Sequence, residues 1–187
     1  MAALKVLVAI LFHAENRAPA EATATQGSAS LTYDELMVMT GLSRSMVRTG
    51  IMRLLEPGLI KVLHEGQGRK NRYFVMNYSV GAWGKLPYRR IAGGGARKEL
   101  QFLHELSCKN FADLNALKLY LLLSAHRDKR TGCARIGYSK IEEASGIWRE
   151  NIRPAISMLL LYHLVRVEQE KIPGQYNTPN SYRILGL

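Results

Sequence analysis

Three arginines that could bind an anionic polymer lie close together in one short segment. Arg44, Arg48 and Arg53 occur in GLSRSMVRTGIMRLLEPGLI, residues 41–60, and no acidic residue follows them until Glu56. A guanidinium group can donate two hydrogen bonds to guanine O6 and N7, or it can clamp a phosphate. Because a carboxylate among these groups would repel a phosphate backbone, cations without acids indicate a nucleic-acid-binding surface.

This segment has a second copy further along the chain. Residues 31–62 align without a gap with residues 136–167, which lie 105 positions later. Nine aligned pairs are identical: Tyr33/Tyr138, Gly41/Gly146, Arg44/Arg149, Arg48/Arg153, Ile51/Ile156, Leu54/Leu159, Leu55/Leu160, Leu59/Leu164 and Val62/Val167. Two of the arginines are therefore repeated, which indicates that the chain uses one structural unit twice.

Each copy predicts the same order of secondary structure. The first begins with an apolar helix over residues 4–13, followed by APAEATATQGSAS, a low-complexity loop at residues 18–30. Thr32 and Glu35 have the spacing of a capping box and start a second helix, and Ser43 caps a third. LIKVLHE and RYFVMNY then flank the turn GQGRKN, which predicts a β-hairpin.

The order helix, helix, turn, helix, hairpin resembles the winged helix-turn-helix DNA-binding domains. The segment S-R-S-M-V-R-x-x-I-x-x-L-x-x-x-G-L-I closely resembles their third helix and first strand, and Asn71-Arg-Tyr and Asn180-Ser-Tyr look like the returning wing strand. The resemblance implies a mainly α fold with small β-hairpin wings, as two winged helix-turn-helix domains in tandem. It places domains at residues 1–80 and 113–187, joined by a linker with a short helix at 81–112. The architecture is similar to that of plasmid replication initiators and of regulators of mobile elements.

In winged-helix domains the third helix enters the major groove, so its exposed face carries the expected DNA contacts. A buried stripe at Val47, Ile51, Leu54 and Leu55 determines which face that is. The DNA-binding residues expected in the first copy are Ser43, Arg44, Ser45, Arg48, Thr49 and Arg53 on the helix, and Arg69, Lys70, Asn71 and Arg72 on the wing. The alternative is that these arginines only keep a surface helix soluble.

The second copy has the same candidate contacts but departs from the pattern. Its expected DNA-binding residues are Trp148, Arg149, Glu150, Asn151 and Arg153 on the helix, and Gln175 and Asn177 on the wing. Trp148 replaces the serine cap, and Glu150 brings an acid to the DNA-facing side. Pro154 would kink the helix, unless Asn151 is the true cap and the proline falls in the first turn. The second copy could therefore serve in dimerisation or protein contact instead.

The charge balance of the whole chain favours the same kind of partner. Among 187 residues there are 26 Lys and Arg against 15 Asp and Glu, which gives a net charge of +11. Nucleic acid is the first candidate partner for such a chain, and an anionic membrane surface is the second. The apolar start VLVAILF, followed by Ala18-Pro19-Ala20, has features of a signal peptide. We favour a first helix, because the segment aligns with Leu117 to Arg130 in the second copy.

No arrangement of residues predicts catalysis, a metal or a cofactor. The five histidines are scattered, and Cys108 and Cys133 do not have the spacing of metal ligands or of a disulfide framework. A reduced, cytoplasmic location is therefore expected. Binding to DNA would place the protein at the nucleoid. Gly93-Gly94-Gly95 lacks the Lys that a phosphate-binding loop needs. The sequence thus predicts a sequence-specific, double-stranded DNA-binding protein that acts in transcriptional regulation and is not an enzyme. A homodimer is possible, and no membrane partner is expected. The alternatives are a replication initiator that binds origin repeats and a winged-helix adaptor between proteins.

Overall fold

The described part of the chain forms two compact units. A computed structural model describes residues 1–16, 25–64, 69–78, 100–168 and 180–185. Unit 1 lies within Met1–Trp83 and Ala92–His104, and unit 2 lies within Gly84–Ile91 and Glu105–Leu187. The described residues form seven helices and two antiparallel sheets of three strands each, so the fold is mixed α and β.

The two units have the same order of elements. Unit 1 contains α1 (Ala2–His13), β1 (Ser28–Leu31), α2 (Tyr33–Thr40), α3 (Arg44–Leu55), β2 (Ile60–His64), β3 (Asn71–Val75) and all but the last residue of α4 (Gln101–Glu105). Unit 2 contains α5 (Phe111–His126), β4 (Cys133–Arg135), α6 (Tyr138–Ser145), α7 (Arg149–Leu161), β5 (Val165–Glu168) and β6 (Ser181–Ile184). The offset of 105 positions carries α2 onto α6 without a change in length.

Each sheet has one strand more than the predicted hairpin. The strand orders are β1-β3-β2 in unit 1 and β4-β6-β5 in unit 2, with every pairing antiparallel. The hairpin is confirmed, with Ile60 opposite Val75 and His64 opposite Asn71. The assignment of residues 28–30 to a loop is wrong, because Ser28–Leu31 pairs with β3. Small residues of low β-propensity give no local strand pattern, and the long-range ladder supplies the hydrogen bonds instead.

The starts of α2 and α3 are those that the sequence predicts, whereas α1 begins at Ala2, two residues before the predicted start. Thr32 Oγ1 accepts a hydrogen bond from the Glu35 backbone N–H at 3.0 Å, and the Glu35 carboxylate accepts from the Thr32 N–H at 2.8 Å. Ser43 Oγ accepts from the Met46 N–H at 3.4 Å at the start of α3. The capping box and the serine cap are therefore both confirmed, and they fix where α2 and α3 begin.

α3 packs against α1 closely at Gly50, where a side chain would be in tight contact with α1. Val47, Ile51 and Leu54 of α3 are buried, as the stripe predicts, whereas Leu55 is half-buried. A Cβ atom at Gly50 would lie 3.0 Å from Val6 Cγ2 and 3.2 Å from the backbone of Ala2. The close crossing of these two helices holds α3 in place and leaves its opposite face exposed.

Both units have a buried tyrosine in the central strand of the sheet, which is β3 in unit 1 and β6 in unit 2. Tyr73 and Tyr182 are both 0% exposed. Asn71 Nδ2 donates to the Tyr73 hydroxyl at 3.3 Å, and Asn180 Nδ2 donates to the Tyr182 hydroxyl at 3.2 Å. Burial raises the pKa of both tyrosines, and the asparagine hydrogen bond opposes that shift. The side chains of the repeated Asn-x-Tyr therefore complete the core of each unit.

The C-terminal end of α2 is closed by groups from distant parts of unit 1. The last three carbonyl groups of the helix, at residues 38–40, have no N–H donor within the helix. His104 Nε2 donates to the first of them at 2.7 Å, the backbone N–H of Leu100 to the second at 3.2 Å, and Lys5 Nζ to the third at 3.4 Å. Three residues from two segments distant from α2 in sequence thus cap one helix end.

The segment of residues 100–104 belongs to the core of unit 1. The sequence assigns it to the linker of residues 81–112, but Leu100, Phe102 and Leu103 are 0%, 3% and 0% exposed in unit 1. Lys5, itself only 3% exposed, donates to the Leu103 carbonyl as well. A buried ammonium group needs such acceptors, because it has lost its hydration shell. The leucine spacing predicts the short helix but not the unit against which it packs.

Leu103→Ala tests whether this segment stabilises unit 1. We expect the free energy of unfolding of unit 1 to fall by about 2–5 kcal/mol, because a fully buried leucine is truncated. Amide hydrogen exchange in α2 measures the effect, and protection there should decrease. Leu63→Ala is the control: that side chain is 58% exposed, so the change should stay within about 0.5 kcal/mol. Unchanged protection of α2 in Leu103→Ala would contradict the assignment.

Candidate nucleic-acid interface

The exposed face of α3 brings together the residues expected to contact DNA in the first copy. All six are solvent-exposed: Ser43, Arg44, Ser45, Arg48, Thr49 and Arg53. The buried positions of the helix, among them Val47 and Ile51, lie on its opposite side. Successive helix positions are rotated by about 100°, so packing one stripe against α1 directs this polar set outward.

The polar face of α3 lines an open groove on unit 1. Its volume is about 1000 Å³, and its lining residues are Tyr33, Arg44, Ser45, Arg48, Thr49, Met52, Arg53, Leu55 and Glu56. Met52 is 59% exposed among the arginines and offers an apolar contact, such as one with a thymine methyl group. Sequence reasoning did not include Tyr33 or Met52 among the contacts. The repeat of Tyr33 as Tyr138 was the available sign for the first of these.

Arg44 has two partners on α2 that the pattern of α3 does not reveal. Its Nη1 donates to Asp34 Oδ1 at 3.2 Å, and its guanidinium carbon lies 5.3 Å from the centroid of the Tyr33 ring. The interpretation that the face lacks acids therefore holds for α3 itself but not for the start of α2 beside it. Asp34 is placed there by the turn between the helices, ten positions before Arg44 in the chain.

The wing residues of the first copy divide into two groups. Arg69 and Lys70 are exposed, directly before β3. Asn71 and Arg72 lie in β3 itself and are half-buried. The Asn71 amide bonds to Tyr73 and lies 2.6 Å from His64 Nδ1, while Arg72 is 3.7 Å from Glu15. Asn71 and Arg72 therefore have partners within unit 1, whereas Arg69 and Lys70 face the solvent. Residues 65–68 lie outside the described part.

The start of α7 in unit 2 places a second set of candidates at the surface. Trp148, Arg149, Glu150 and Arg153 are exposed, and Trp148 is 70% exposed, whereas Asn151 is half-buried. Arg149 Nη1 donates to Ser139 Oγ at 3.4 Å, which repeats the Arg44–Asp34 contact with a neutral partner. Sequence reasoning did not identify Ser139, which occupies the position of Asp34 in the alignment.

The first turn of α7 is capped from α6 and not by its own N-cap residue. Trp148 makes no side-chain cap. The Glu142 carboxylate instead accepts from the Arg149 backbone N–H at 3.2 Å. A carboxylate at a helix N-terminus is favourable, because it interacts with the positive end of the helix dipole. It also occupies a donor that could otherwise bind a phosphate.

Pro154 lies inside α7. The alternative that Asn151 caps the helix is wrong, because α7 begins at Arg149 and the Asn151 N–H donates to the Trp148 carbonyl at 2.8 Å. The exposed side of the helix accommodates the ring, but position 154 has no N–H for the carbonyl of Glu150.

The described strands of the wing in unit 2, β5 and β6, contain an ion pair. Arg183 Nε and Nη2 donate to the Glu168 carboxylate at 2.5 and 3.1 Å. The hydrogen bonds from Arg183 lower the pKa of Glu168. The two charges compensate one another within the sheet. Gln175 and Asn177, the predicted wing contacts, lie outside the described residues.

Neither a metal site nor a membrane-spanning helix accompanies this surface in the described part of the chain. Within the described residues, no group of three or more His, Cys, Asp or Glu could hold a metal ion. None of the helices in the described ranges has the length and apolarity needed to cross a bilayer. No protein-family model matches the chain, and comparison with curated proteins finds none with significant sequence similarity.

Pro154→Ala tests the account of α7. Alanine supplies the missing N–H to the Glu150 carbonyl and is the best helix former, so the free energy of unfolding of unit 2 should rise by about 1–3 kcal/mol. Urea denaturation followed by circular dichroism measures the change. Thr49→Ala, at the aligned and exposed position of α3, is the control and should shift unit 1 by no more than about 0.5 kcal/mol. A loss of stability in Pro154→Ala would contradict this interpretation.

Proposed function

We propose that the chain is a sequence-specific, double-stranded DNA-binding protein that acts in transcriptional regulation. In this proposal it consists of two winged helix-turn-helix domains. The observation that carries this proposal is the face of α3, where six polar or cationic side chains are exposed together above a buried apolar stripe. A soluble surface helix would need charge, but it would not need its cations concentrated on one face and repeated in a second unit.

The arrangement of elements supports the winged-helix part of the proposal. In each unit a helix is followed by a strand, two helices and a hairpin, with the first strand added to the hairpin. The second and third helices are joined by a short turn at a glycine with positive φ, Gly41 in unit 1 and Gly146 in unit 2. In DNA-binding domains of this order the third helix is inserted into the major groove, which is about 12 Å wide.

The charge distribution supports a larger contribution from unit 1 than from unit 2. α3 carries Arg44, Arg48 and Arg53 and has no acid within its length, whereas α7 carries Glu150 beside Arg149. Arg69 and Lys70 add exposed positive charge at the first wing. We therefore expect unit 1 to supply most of the affinity, with unit 2 reading a different sequence through Trp148 and Glu150.

The first test of the proposal is the salt dependence of binding to random-sequence duplex DNA. The logarithm of the binding constant should fall linearly with the logarithm of salt concentration, because each neutralised phosphate releases counterions. Fluorescence anisotropy of a labelled duplex measures the slope. Each phosphate contact contributes about 0.9 to that slope. No binding, or binding indifferent to salt, would favour a protein–protein adaptor instead.

The second test separates base reading from phosphate binding. Arg48→Ala should cost about 1–3 kcal/mol on the preferred duplex and relax the preference at one base position. Lys70→Ala should weaken binding to all sequences alike and lower the salt slope by about 1. A selection of bound duplexes from a random pool, repeated with each variant, measures both effects. If Arg48→Ala selects the same sequence with the same affinity as the parent, α3 is not the reading helix.

A further inference from the structure

The ion pair between Asp34 and Arg44 is difficult to explain as a contribution to folding. The Arg44 and Asp34 side chains are 69% and 67% exposed. Ion pairs between such exposed groups contribute little to stability, because water screens them and both side chains lose conformational freedom. The pair nevertheless adds a negative charge beside the face that we propose to bind DNA, where a carboxylate opposes phosphate binding.

The geometry of the pair leaves one edge of the guanidinium available. Within the described residues Arg44 is held by Asp34 through Nη1 and lies over the Tyr33 ring at 5.3 Å. The Nε–H and Nη2–H donors form the other edge of the planar group. Two parallel donors on one edge are what guanine O6 and N7 require, and Arg is the side chain that supplies them.

From this geometry we infer that Asp34 and Tyr33 are positioning residues that orient Arg44 for reading a base, and that they suppress its use as a phosphate contact. The ring and the carboxylate restrict the guanidinium to one plane, so less conformational freedom is lost when it binds a base edge. The carboxylate compensates the positive charge of Arg44, which lowers its attraction to a phosphate. This inference rests on the proposed function and adds to it the origin of specificity at one base position.

At the aligned position of unit 2, Ser139 stands where unit 1 has the Asp34 carboxylate. Arg149 donates to the neutral hydroxyl of Ser139 at 3.4 Å, and the nearby acid Glu142 binds the backbone N–H of Arg149 instead of its side chain. Among the described residues, therefore, no carboxylate compensates the charge of the Arg149 side chain through a direct hydrogen bond. The two aligned arginines are thereby assigned different roles, with Arg44 reading a base and Arg149 binding a phosphate.

The test compares variants of the full chain on duplexes selected from a random pool by the parent protein. Arg44→Ala first identifies the base pair that Arg44 reads, as the position where preference is lost. Asp34→Asn should then reduce the discrimination at that same base pair by about tenfold, which is within the range for one bidentate contact. Its thermal midpoint should fall only slightly, because Asp34 lies in the first turn of α2, where a carboxylate interacts favourably with the helix dipole. A merely structural role would not predict a loss of discrimination confined to one base pair.

Glu56→Gln is the matched control for net charge. Glu56 is exposed at the end of α3 and lines the same groove, and its substitution removes one negative charge, as Asp34→Asn does. It should tighten binding to all duplexes without changing the preference at the base pair read by Arg44. Tyr33→Leu should relax that preference, whereas Tyr33→Phe, which keeps the ring, should retain it.

The outcomes separate this inference from the function on which it rests. If Arg44→Ala relaxes one base pair and Asp34→Asn leaves that preference intact, the inference is overturned and the proposed function stands. If Arg44→Ala weakens all sequences equally, Arg44 binds phosphate and the inference is also overturned. A parent protein that selects no sequence from the pool would overturn the proposed function itself.

Discussion

The exposed face of α3, which we propose to bind DNA, is positioned by the way the C-terminal end of α2 is closed. A helix end leaves carbonyl groups without intrahelical donors, and a buried end must find donors elsewhere. In unit 1 these come from Lys5 on α1 and from Leu100 and His104, which lie far after α2 in the chain. Gly41 adopts a left-handed conformation immediately after the helix, with the His104 ring so close that a Cβ atom would lie 2.9 Å from it. The direction in which α3 leaves α2 is fixed at this point.

Unit 2 solves the same problem with fewer contacts. Lys118 occupies the aligned position of Lys5 and donates to the Ser145 carbonyl at 3.4 Å, so the link between first and second helix is repeated. Gly146 has the same left-handed conformation, but a Cβ atom there would meet nothing within 4 Å. The backbone conformation of the turn is therefore common to both units. Among the described residues, only the turn of unit 1 has a side chain, that of His104, packed against its glycine.

The acids of the chain show how a strongly basic protein distributes its charge. A net charge of +11 does not say which cations are available to a partner. Asp34 holds Arg44, Glu168 holds Arg183, and Glu15 lies near Arg72. Arg48 and Arg53 lie on the exposed face of α3 without such a carboxylate among the described contacts. The distribution of paired and unpaired cations sets the electrostatic character of the surface, and it follows from packing and turn geometry.

The sequence by itself determined the features that rest on local chemistry. The capping residues Thr32 and Ser43, the buried stripe of α3 and the β2–β3 hairpin follow from spacings of a few residues, and the repeat places the same elements in unit 2. The exposed arginines follow from the stripe, because burying one side of a helix exposes the other.

Only the tertiary structure decided the features that join distant segments. The strand at Ser28–Leu31 forms because β3 offers a free edge, and its own small residues give no sign of it. Residues 100–104 are part of unit 1 because their leucines are buried there and their donors meet the end of α2. Asp34 faces Arg44 because the turn at Gly41 brings the start of α2 beside the start of α3. Contacts of this kind depend on where the chain returns in space, and residue spacing along one element cannot encode that.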